Sequence, residues 1–382
     1  MDNLGSFFLS ATLLLGTIIG AGIFGIPYVV ARSGIIPSFF YFLILGGISL
    51  LIHLFLGEVV LRTKEKHRLA GYAKKYLGGW GKSLVALSVV LGTVLALVAY
   101  IILGGQFLKI FFSSYGFLGE VSAFRLSFIF SIFLSPFIFK GIKMVARTEL
   151  ITNLLFGLII ILIFFLSLPS VSLSNFQGID FSNVFLPYGV ILFALTGWSA
   201  VPEMTEILKS DKDKKLLKKA IIFSVLTAII IYLIFIFAVV GVSGQNTSEE
   251  TFTGLLPYLN EKIVAFGVLA GIITIADSFL ILGLNLKNTL VYDYNIPGLL
   301  SFIFAWGSPL LLFLLGLRHF IDVVGLAGII IGAIEGMAII CIFKKAKTMG
   351  NREPEYSLRV HPLVMSVLVT VFVLGALSLF LN

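Results

Sequence analysis

Gly16-Thr17-Ile18-Ile19-Gly20-Ala21-Gly22-Ile23-Phe24-Gly25-Ile26-Pro27 lies inside the first apolar run, from about Phe7 to Val30. That run is long enough to cross a bilayer, for which a helix needs about 20 residues. Yet the stretch carries four glycines and ends in a proline. Glycine costs a helix interior about 1 kcal/mol and proline about 3 kcal/mol. A helix that served only as an anchor gains nothing from them. Inside lipid, broken backbone is tolerated only where protein or a watery cavity receives the freed N–H and C=O groups. The stretch therefore reads as a spanning helix interrupted at mid-membrane, with Gly20 to Gly22 lining a site. Tight helix packing is the alternative, because Gly16 and Gly20 have the G-x-x-x-G spacing.

The composition agrees with a membrane setting. Of 382 residues, 59% are hydrophobic and 12% charged, against about 25% charged in soluble domains; the mean hydropathy is +1.09. The chain reads as an all-α polytopic membrane protein. Cys341 is the lone cysteine, which excludes a disulfide framework and a cysteine metal site. His53, His67, His319 and His361 are scattered, against a histidine metal cluster. Asp2 is the one charge before the first run, so no basic leader precedes it and the first helix is expected to be retained. The net charge of +8 sits in alternate loops, which argues against nucleic acid as a partner.

Apolar runs of spanning length fall at about 7–32, 36–61, 83–111, 122–140, 145–168, 183–208, 219–242, 261–290, 295–316, 319–342 and 361–381, which predicts about eleven transmembrane helices. Lys and Arg cluster after the second run (Arg62 to Lys82), around the turn at Lys140, Lys143 and Arg147, at Lys209 to Lys219, near Lys287, and from Lys344 to Arg359. The positive-inside rule then puts the N-terminus in the cytoplasm and, with eleven spans, the C-terminus outside. The segment 62–82 reads as a short amphipathic helix on the cytoplasmic surface, with Leu69, Tyr72, Tyr76, Leu77 and Trp80 toward lipid. The polar loops 169–182 and 243–260 read as connectors or as gates of an outward vestibule.

The sixth run repeats the pattern of the first. It reads Pro187-Tyr188-Gly189-Val190-Ile191-Leu192-Phe193-Ala194-Leu195-Thr196-Gly197-Trp198-Ser199-Ala200-Val201-Pro202-Glu203-Met204. Small residues cluster again at mid-span and a proline again ends the cluster. With five spans in each half, the halves cross the membrane in opposite senses. Interrupted helices opening two inverted halves point to a transporter with its site at the midplane. This second break favours a binding site over plain packing. N–H groups at the start of one half-helix suit an anion such as a carboxylate. Carbonyls at the end of another suit a cation or an ammonium. Glycine lets backbone touch the ligand. A zwitterion with both charges on one carbon matches this arrangement, with Trp198 and Phe24 among the side chains that would read the rest of it.

The stretch from Gly16 to Pro27 resembles the first-helix signature of the amino acid–polyamine–organocation superfamily. Gly197-Trp198-Ser199-Ala200-Val201-Pro202-Glu203-Met204, followed by Glu206-Ile207-Leu208-Lys209, resembles the sixth helix of the amino acid/auxin permeases and the bacterial tyrosine/tryptophan permeases. The resemblance implies the five-plus-five inverted-repeat (LeuT-like) fold with broken helices 1 and 6 and a substrate site between helices 1, 3, 6 and 8. It implies that Gly20, Ala21 and Gly22, with Ile23 and Phe24 beside them, meet the substrate carboxylate. Thr196, Gly197, Trp198 and Ser199 would meet its amino group and side chain. Tyr100 would face them from the third helix, or be a packing residue with a satisfied hydroxyl.

An acid at the bilayer centre costs about 2.5–3.5 kcal/mol, so each is a functional candidate. Asp277 lies midway along the eighth run, in Thr274-Ile275-Ala276-Asp277-Ser278. In sodium-coupled relatives a sodium ion sits between carbonyls of the first helix and hydroxyls of the eighth. Matching the glycine motifs places that site at the carbonyls of Gly16 and Ile19 with Thr274, Asp277 and Ser278. Oxygen ligands suit a hard cation. The aspartate departs from the usual hydroxyl pair: it binds sodium, exchanges a proton, or is a structural acid bonded to its neighbours. Glu203 carries protons, braces the broken helix or forms a gate pair with a base. Glu335 pairs with Lys287 or faces a watery cavity. Glu58 pairs with Arg62 or snorkels, and His53 reads as a hydrogen-bonded packing residue.

The expected function is secondary active import of an amino acid, neutral or aromatic, coupled to H+ or Na+ by alternating access. No G-x-x-x-x-G-K-[ST] loop is present for ATP drive. An enzyme would need a constellation of acids or histidines at a membrane face, and the acids here are isolated. A sensor or a passive channel of the same fold is the alternative, although a channel is expected to show polar rings rather than paired helix breaks. No cofactor or metal is implied beyond the coupling ion; the partners are a small-molecule substrate and the lipid bilayer. Residues 1–382 read as one transmembrane domain in the plasma (inner) membrane. Its first repeat covers about 7–168, its second about 183–342, and an additional helix covers 361–381.

Overall fold

The computed structural model describes residues 3–114, 116, 121–140, 145–176 and 178–379. Lys143, the side chain of Arg147 and positions 380–381 of the last run lie outside the described part. The chain is built of helices, as lipid requires of backbone that must satisfy its own hydrogen bonds. The one β pairing among the described residues is an isolated bridge between Ser248 and Thr251.

Helices α1 (Asn3–Ile18) and α2 (Gly22–Ser33) meet at a 54° bend, with residues 19–21 in neither. Helix α3 (Ile35–Leu61) begins after Gly34, whose φ is 93° and where a Cβ would come within 2.5 Å of the Gly178 carbonyl oxygen. Glycine alone makes this turn without strain. Helix α4 (Leu69–Ser114) kinks at Gly78, φ 84°, which separates its first two turns from the spanning part. Then come α5 (Ala123–Lys140) and α6 (Val145–Ser167). The sixth run is split into α7 (Leu186–Ala194) and α8 (Val201–Ile207), with a 3-10 turn at Trp198–Ala200 between them. Helices α9 (Leu217–Ser243), α10 (Glu261–Tyr294) and α11 (Gly298–Leu314) follow. Helix α12 (Phe320–Ile331) continues through a π turn at Gly332–Gly336 into α13 (Met337–Met349), and α14 (Pro362–Ser378) closes the chain.

Two expectations need correction. Among the described residues six helices are long and apolar enough to span, seven with the bent α1/α2 pair, not eleven. Of the other apolar runs, Gly298–Leu314 and Pro362–Ser378 fold into rods of 17 residues and the sixth run into pieces of 9 and 7. At 1.5 Å per residue, 17 residues reach about 26 Å, short of the hydrocarbon core of about 30 Å. The surface helix expected over 62–82 starts only at Leu69. Leu69, Tyr72 and Tyr76 are buried in protein, while Trp80 is 79% exposed. The Tyr76 hydroxyl and the Thr63 hydroxyl lie 2.7 Å apart, a partner that lipid would not supply.

The broken helices sit among the longer ones. Helix α9 packs on α1, α2, α3 and α6, and α12 packs on α4 and α7. The loop at 243–260 also enters the core. Phe252 is buried, its ring 5.3 Å from that of Phe107 and 5.9 Å from that of Phe24. Its neighbour Thr251 holds φ 77°, rare for a β-branched residue, and donates its hydroxyl to the Phe24 carbonyl at 2.6 Å.

Candidate substrate and coupling site

The two interruptions face each other. A Cβ on Gly22 would come within 2.6 Å of Ala194 Cβ and 2.7 Å of Ala194 Cα. One on Gly197 would come within 2.6 Å of Ile18 Cγ1. Gly22 therefore serves close packing as well as the break. At Gly20 the nearest neighbour of a Cβ would be the Tyr100 hydroxyl, at 3.1 Å. Tyr100 thus does face the first break from α4.

The backbone at the breaks is left partly open. The N–H of Gly20 reaches the Ile18 carbonyl at 2.9 Å, and those of Ile23 and Phe24 reach Gly20 and Ala21 at 3.4 and 3.2 Å. No backbone carbonyl takes the N–H of Ala21 among the described residues. This donor lies at the N-cap of α2, where the helix dipole favours an anion. The carbonyls ending the preceding half-helices carry the opposite partial charge. Ser49 donates its hydroxyl to the Leu195 carbonyl at 2.7 Å, and the Tyr232 hydroxyl lies 2.8 Å from the carbonyls of both Ile18 and Ala194. One proton on α9 thus serves the ends of both first halves.

Of the expected substrate residues, Ala21, Gly22, Ile23, Phe24, Tyr100, Gly197 and Trp198 are buried, Gly20 and Thr196 half-buried, and Ser199 exposed. The Thr196 hydroxyl donates to the Phe193 carbonyl at 2.7 Å, so a lone pair remains for a ligand. Phe24 packs edge-on against Phe107 at 4.9 Å and beside Phe156 at 5.4 Å. Trp198 Nε1 donates to Glu335 Oε2 at 2.7 Å, and the Ser88 hydroxyl donates to Oε1 at 3.3 Å. Lys287, the partner considered for Glu335, instead donates to the carbonyls of Ile138 and Phe139 at 3.1 and 2.6 Å. His53 packs edge-on against Trp198 with ring centroids 5.7 Å apart.

The expected coupling residues are more dispersed. Asp277 Oδ2 accepts from the Thr152 hydroxyl on α6 at 2.9 Å. Thr274 is buried, as is Ile19; Gly16, Asp277 and Ser278 are half-buried. Helix α10 packs on α4, α5, α6 and α11. Glu203 on α8 forms an ion pair with Arg68. Glu58 pairs with Arg62 at 2.8 Å, as the i,i+4 spacing predicts, and also accepts from the Leu358 N–H at 2.6 Å. No group of three His, Cys, Asp or Glu fit to hold a metal occurs among the described residues. Sequence reasoning missed Tyr232. Its signal was a single polar tip in the apolar run Ile229-Ile230-Ile231-Tyr232-Leu233-Ile234.

Known structures share this architecture. The chain matches MhsT in complex with L-phenylalanine with a TM-score of 0.67 and 20% identity, over 98% of this chain and 97% of that one. It matches Mhp1, a nucleobase-cation-symport-1 family transporter in a closed conformation with bromovinylhydantoin bound, with a TM-score of 0.63 and 14% identity, over 98% and 90%. The fold is therefore the LeuT-like one, in a multi-pass membrane protein with a broken first helix. By sequence the chain is 23% identical over 329 residues to glutamine transporter 2 of Aliivibrio fischeri, covering 84% of each. It is 26% identical over 261 residues to tyrosine-specific transport system 2 of Haemophilus influenzae, covering 65% of this chain and 62% of that one. A profile of the tryptophan/tyrosine permease family matches residues 4–380, and the chain belongs to that family. It is a secondary transporter of an amino-acid-type substrate and not an enzyme.

Proposed function

We propose that this permease imports a neutral or aromatic amino acid across the plasma (inner) membrane by alternating access, coupled to H+ or Na+. The observation that carries this reading is the contact between the two interrupted helices, Gly22 against Ala194 and Gly197 against Ile18. The substrate carboxylate sits at Gly20, Ala21 and Gly22, where the Ala21 N–H lacks a backbone acceptor among the described residues. Its ammonium faces Thr196, Gly197 and Ser199. Ile23, Phe24, Tyr100 and Trp198 bound its side chain. The names of the relatives, for glutamine and tyrosine, support an uncharged side chain. A cation at the carbonyls of Gly16 and Ile19, with Thr274, Asp277 and Ser278, shifts the balance between outward-open and inward-open states. Two inverted halves, about 7–168 and 183–342, move against each other, with 361–381 as an added helix. The Lys and Arg clusters support a cytoplasmic N-terminus, and the C-terminus lies outside.

Uptake of labelled L-tyrosine, L-phenylalanine, L-tryptophan and L-glutamine into proteoliposomes tests this. Accumulation that vanishes when the proton and sodium gradients are collapsed supports the reading. Flux that persists down a substrate gradient alone marks a channel, and binding without flux marks a sensor.

A further inference from the structure

The buried acid at the break in the sixth run is assigned no task by the reading above. Glu335 lies midway along α12 and α13, in the π turn, and is 5% exposed. We propose that Glu335 is a proton-binding site whose state is read by Trp198, so that binding one proton loosens the interrupted helix from α12. Proton binding at Glu335 stands by itself; only its use in coupling rests on the transporter reading.

Among the described residues the surroundings of Glu335 contain donors but no countercharge. From α4 the Ser88 hydroxyl faces it, and from the turn before α8 the Trp198 indole N–H. Helix α14 presents the apolar ring of Phe372 to the flanking glycines, within 2.5 Å of a Cβ on Gly336. Helix α3 presents His53 behind the Trp198 ring. On its own helices the nearest charges are Asp322 and Lys344, 13 and 9 residues away, or about 20 and 14 Å along the axis. An ionised carboxylate held by two neutral donors in a dry interior is poorly compensated, and the neutral acid is the form such a site tolerates.

His53 adds a second, independent sign. Its Nδ1 lies 2.7 Å from the Ser49 carbonyl oxygen and so carries the ring hydrogen. Its Nε2 is then a lone pair, buried and without a partner among the described residues, and a Cβ on Gly197 would stand 3.4 Å from it. The segment around Trp198 is thus held on one face by Glu335 and meets an empty acceptor on the other. A hydrogen bond to an ionised acceptor is roughly twice as strong as one to a neutral acceptor. Ionised Glu335 grips the indole; the protonated acid releases part of that hold and shifts the equilibrium of the break.

Infrared difference spectra of the purified full chain between about pH 5 and about pH 8 test the site, since they report carboxylic acids that gain or lose a proton. The carbonyl band of a protonated acid is expected in the wild type, lost in Glu335→Gln, and retained in Asp277→Asn. In Glu335→Asp an acid band should persist at a shifted frequency, which guards against a merely misfolded Gln variant. In Trp198→Phe the band should move to the frequency of a less hydrogen-bonded acid. A band that survives Glu335→Gln, or that vanishes only in Asp277→Asn, overturns the proposal. In proteoliposomes Glu335→Gln should exchange labelled L-tyrosine, L-phenylalanine, L-tryptophan or L-glutamine, yet fail to accumulate it on a proton gradient. Proton-driven accumulation at the wild-type level by Glu335→Gln refutes the coupling role. If the wild type moves no amino acid, the transporter reading fails while the infrared result still decides the proton site.

Discussion

Tyr232 Oη lies 2.8 Å from the carbonyl oxygen of Ile18, the last residue of α1 before the break, and equally far from that of Ala194, the last residue of α7. One hydroxyl on α9 therefore ties together the carbonyl ends of the first halves of both interrupted helices. It is fully buried, so water does not replace it. In Tyr232→Phe at least one buried carbonyl loses its donor, at a cost of about 1–3 kcal/mol. Thermal unfolding of the purified variant should show the loss. Because both breaks share the bond, uptake should fall as well. A variant with wild-type melting and uptake would mean that neither carbonyl depends on this hydroxyl.

The two glycines of the first break should answer differently to the same small change. Gly22→Ala drives a methyl into the backbone of Ala194, at 2.7 Å from its Cα, which cannot yield cheaply. Overpacking of that kind costs about 1–3 kcal/mol. Gly20→Ala meets only the tip of Tyr100 at 3.1 Å, which can move by a few tenths of an ångström. It should leave the melting temperature near that of the wild type while weakening substrate uptake, because the methyl points at the Tyr100 hydroxyl across the proposed carboxylate site. Unchanged uptake in a well-folded Gly20→Ala would take Gly20 out of the substrate site.

What the sequence made legible was local. The first break was expected at Gly20 to Gly22 and falls at 19–21, because glycine and proline act on their own backbone. The second, around Thr196 to Ser199, falls between Ala194 and Val201 for the same reason. Glu58 and Arg62 followed from helical spacing. The contacts that bind these parts join distant residues: Trp198 to Glu335 across 137 positions, Arg68 to Glu203 across 135. A helix that is apolar on every side does not announce which face meets which neighbour, so the partners of its few polar residues stay hidden. Tyr72 and Tyr76 read as lipid-facing for a related reason, since an apolar stripe fits protein as well as lipid. Counting apolar runs overestimated the spans because hydropathy does not register that a run such as 183–208 folds in two pieces.

The segment after α3 should respond to acid. Hydrogen bonding to the Lys75 ammonium, above all, and to the Asn351 amide holds the Glu65 carboxyl down at about 2, from an ordinary 4.5. A depressed acid contributes stability that is complete above about pH 4.5 and is lost as the pH falls through about 2. The link from Glu65 to Asn351 joins 62–68 to 350–361. Proteolysis of these segments should rise over that pH window with an acid-tolerant protease. Glu65→Gln should flatten the dependence. Because the Glu65 side chain is 53% exposed, added salt should shrink it too. A salt-independent profile would place the acid-sensitive group elsewhere.

The pair between Arg68 and Glu203 ties the interrupted helix α8 to the start of α4, with the two side chains 68% and 39% exposed. An exposed pair of this kind contributes about 0–1 kcal/mol to stability, so Glu203→Gln should melt close to the wild type. Its effect should lie in access instead. Ser199 is exposed one turn before Glu203, and Cys341 can be removed as Cys341→Ser to leave a thiol-free background. In that background Ser199→Cys should react with a membrane-impermeant thiol reagent added on the side of the membrane where Arg68 and Glu203 lie. The reaction should be faster when combined with Glu203→Gln or Arg68→Gln, because the tie that holds α8 against α4 is gone. The exchanged pair Arg68→Glu with Glu203→Arg restores opposite charges and should bring the rate back down. Equal labelling rates in all four backgrounds would mean that this ion pair is a passing surface contact and that α8 is held shut by its buried residues, Val201 and Met204 among them, alone.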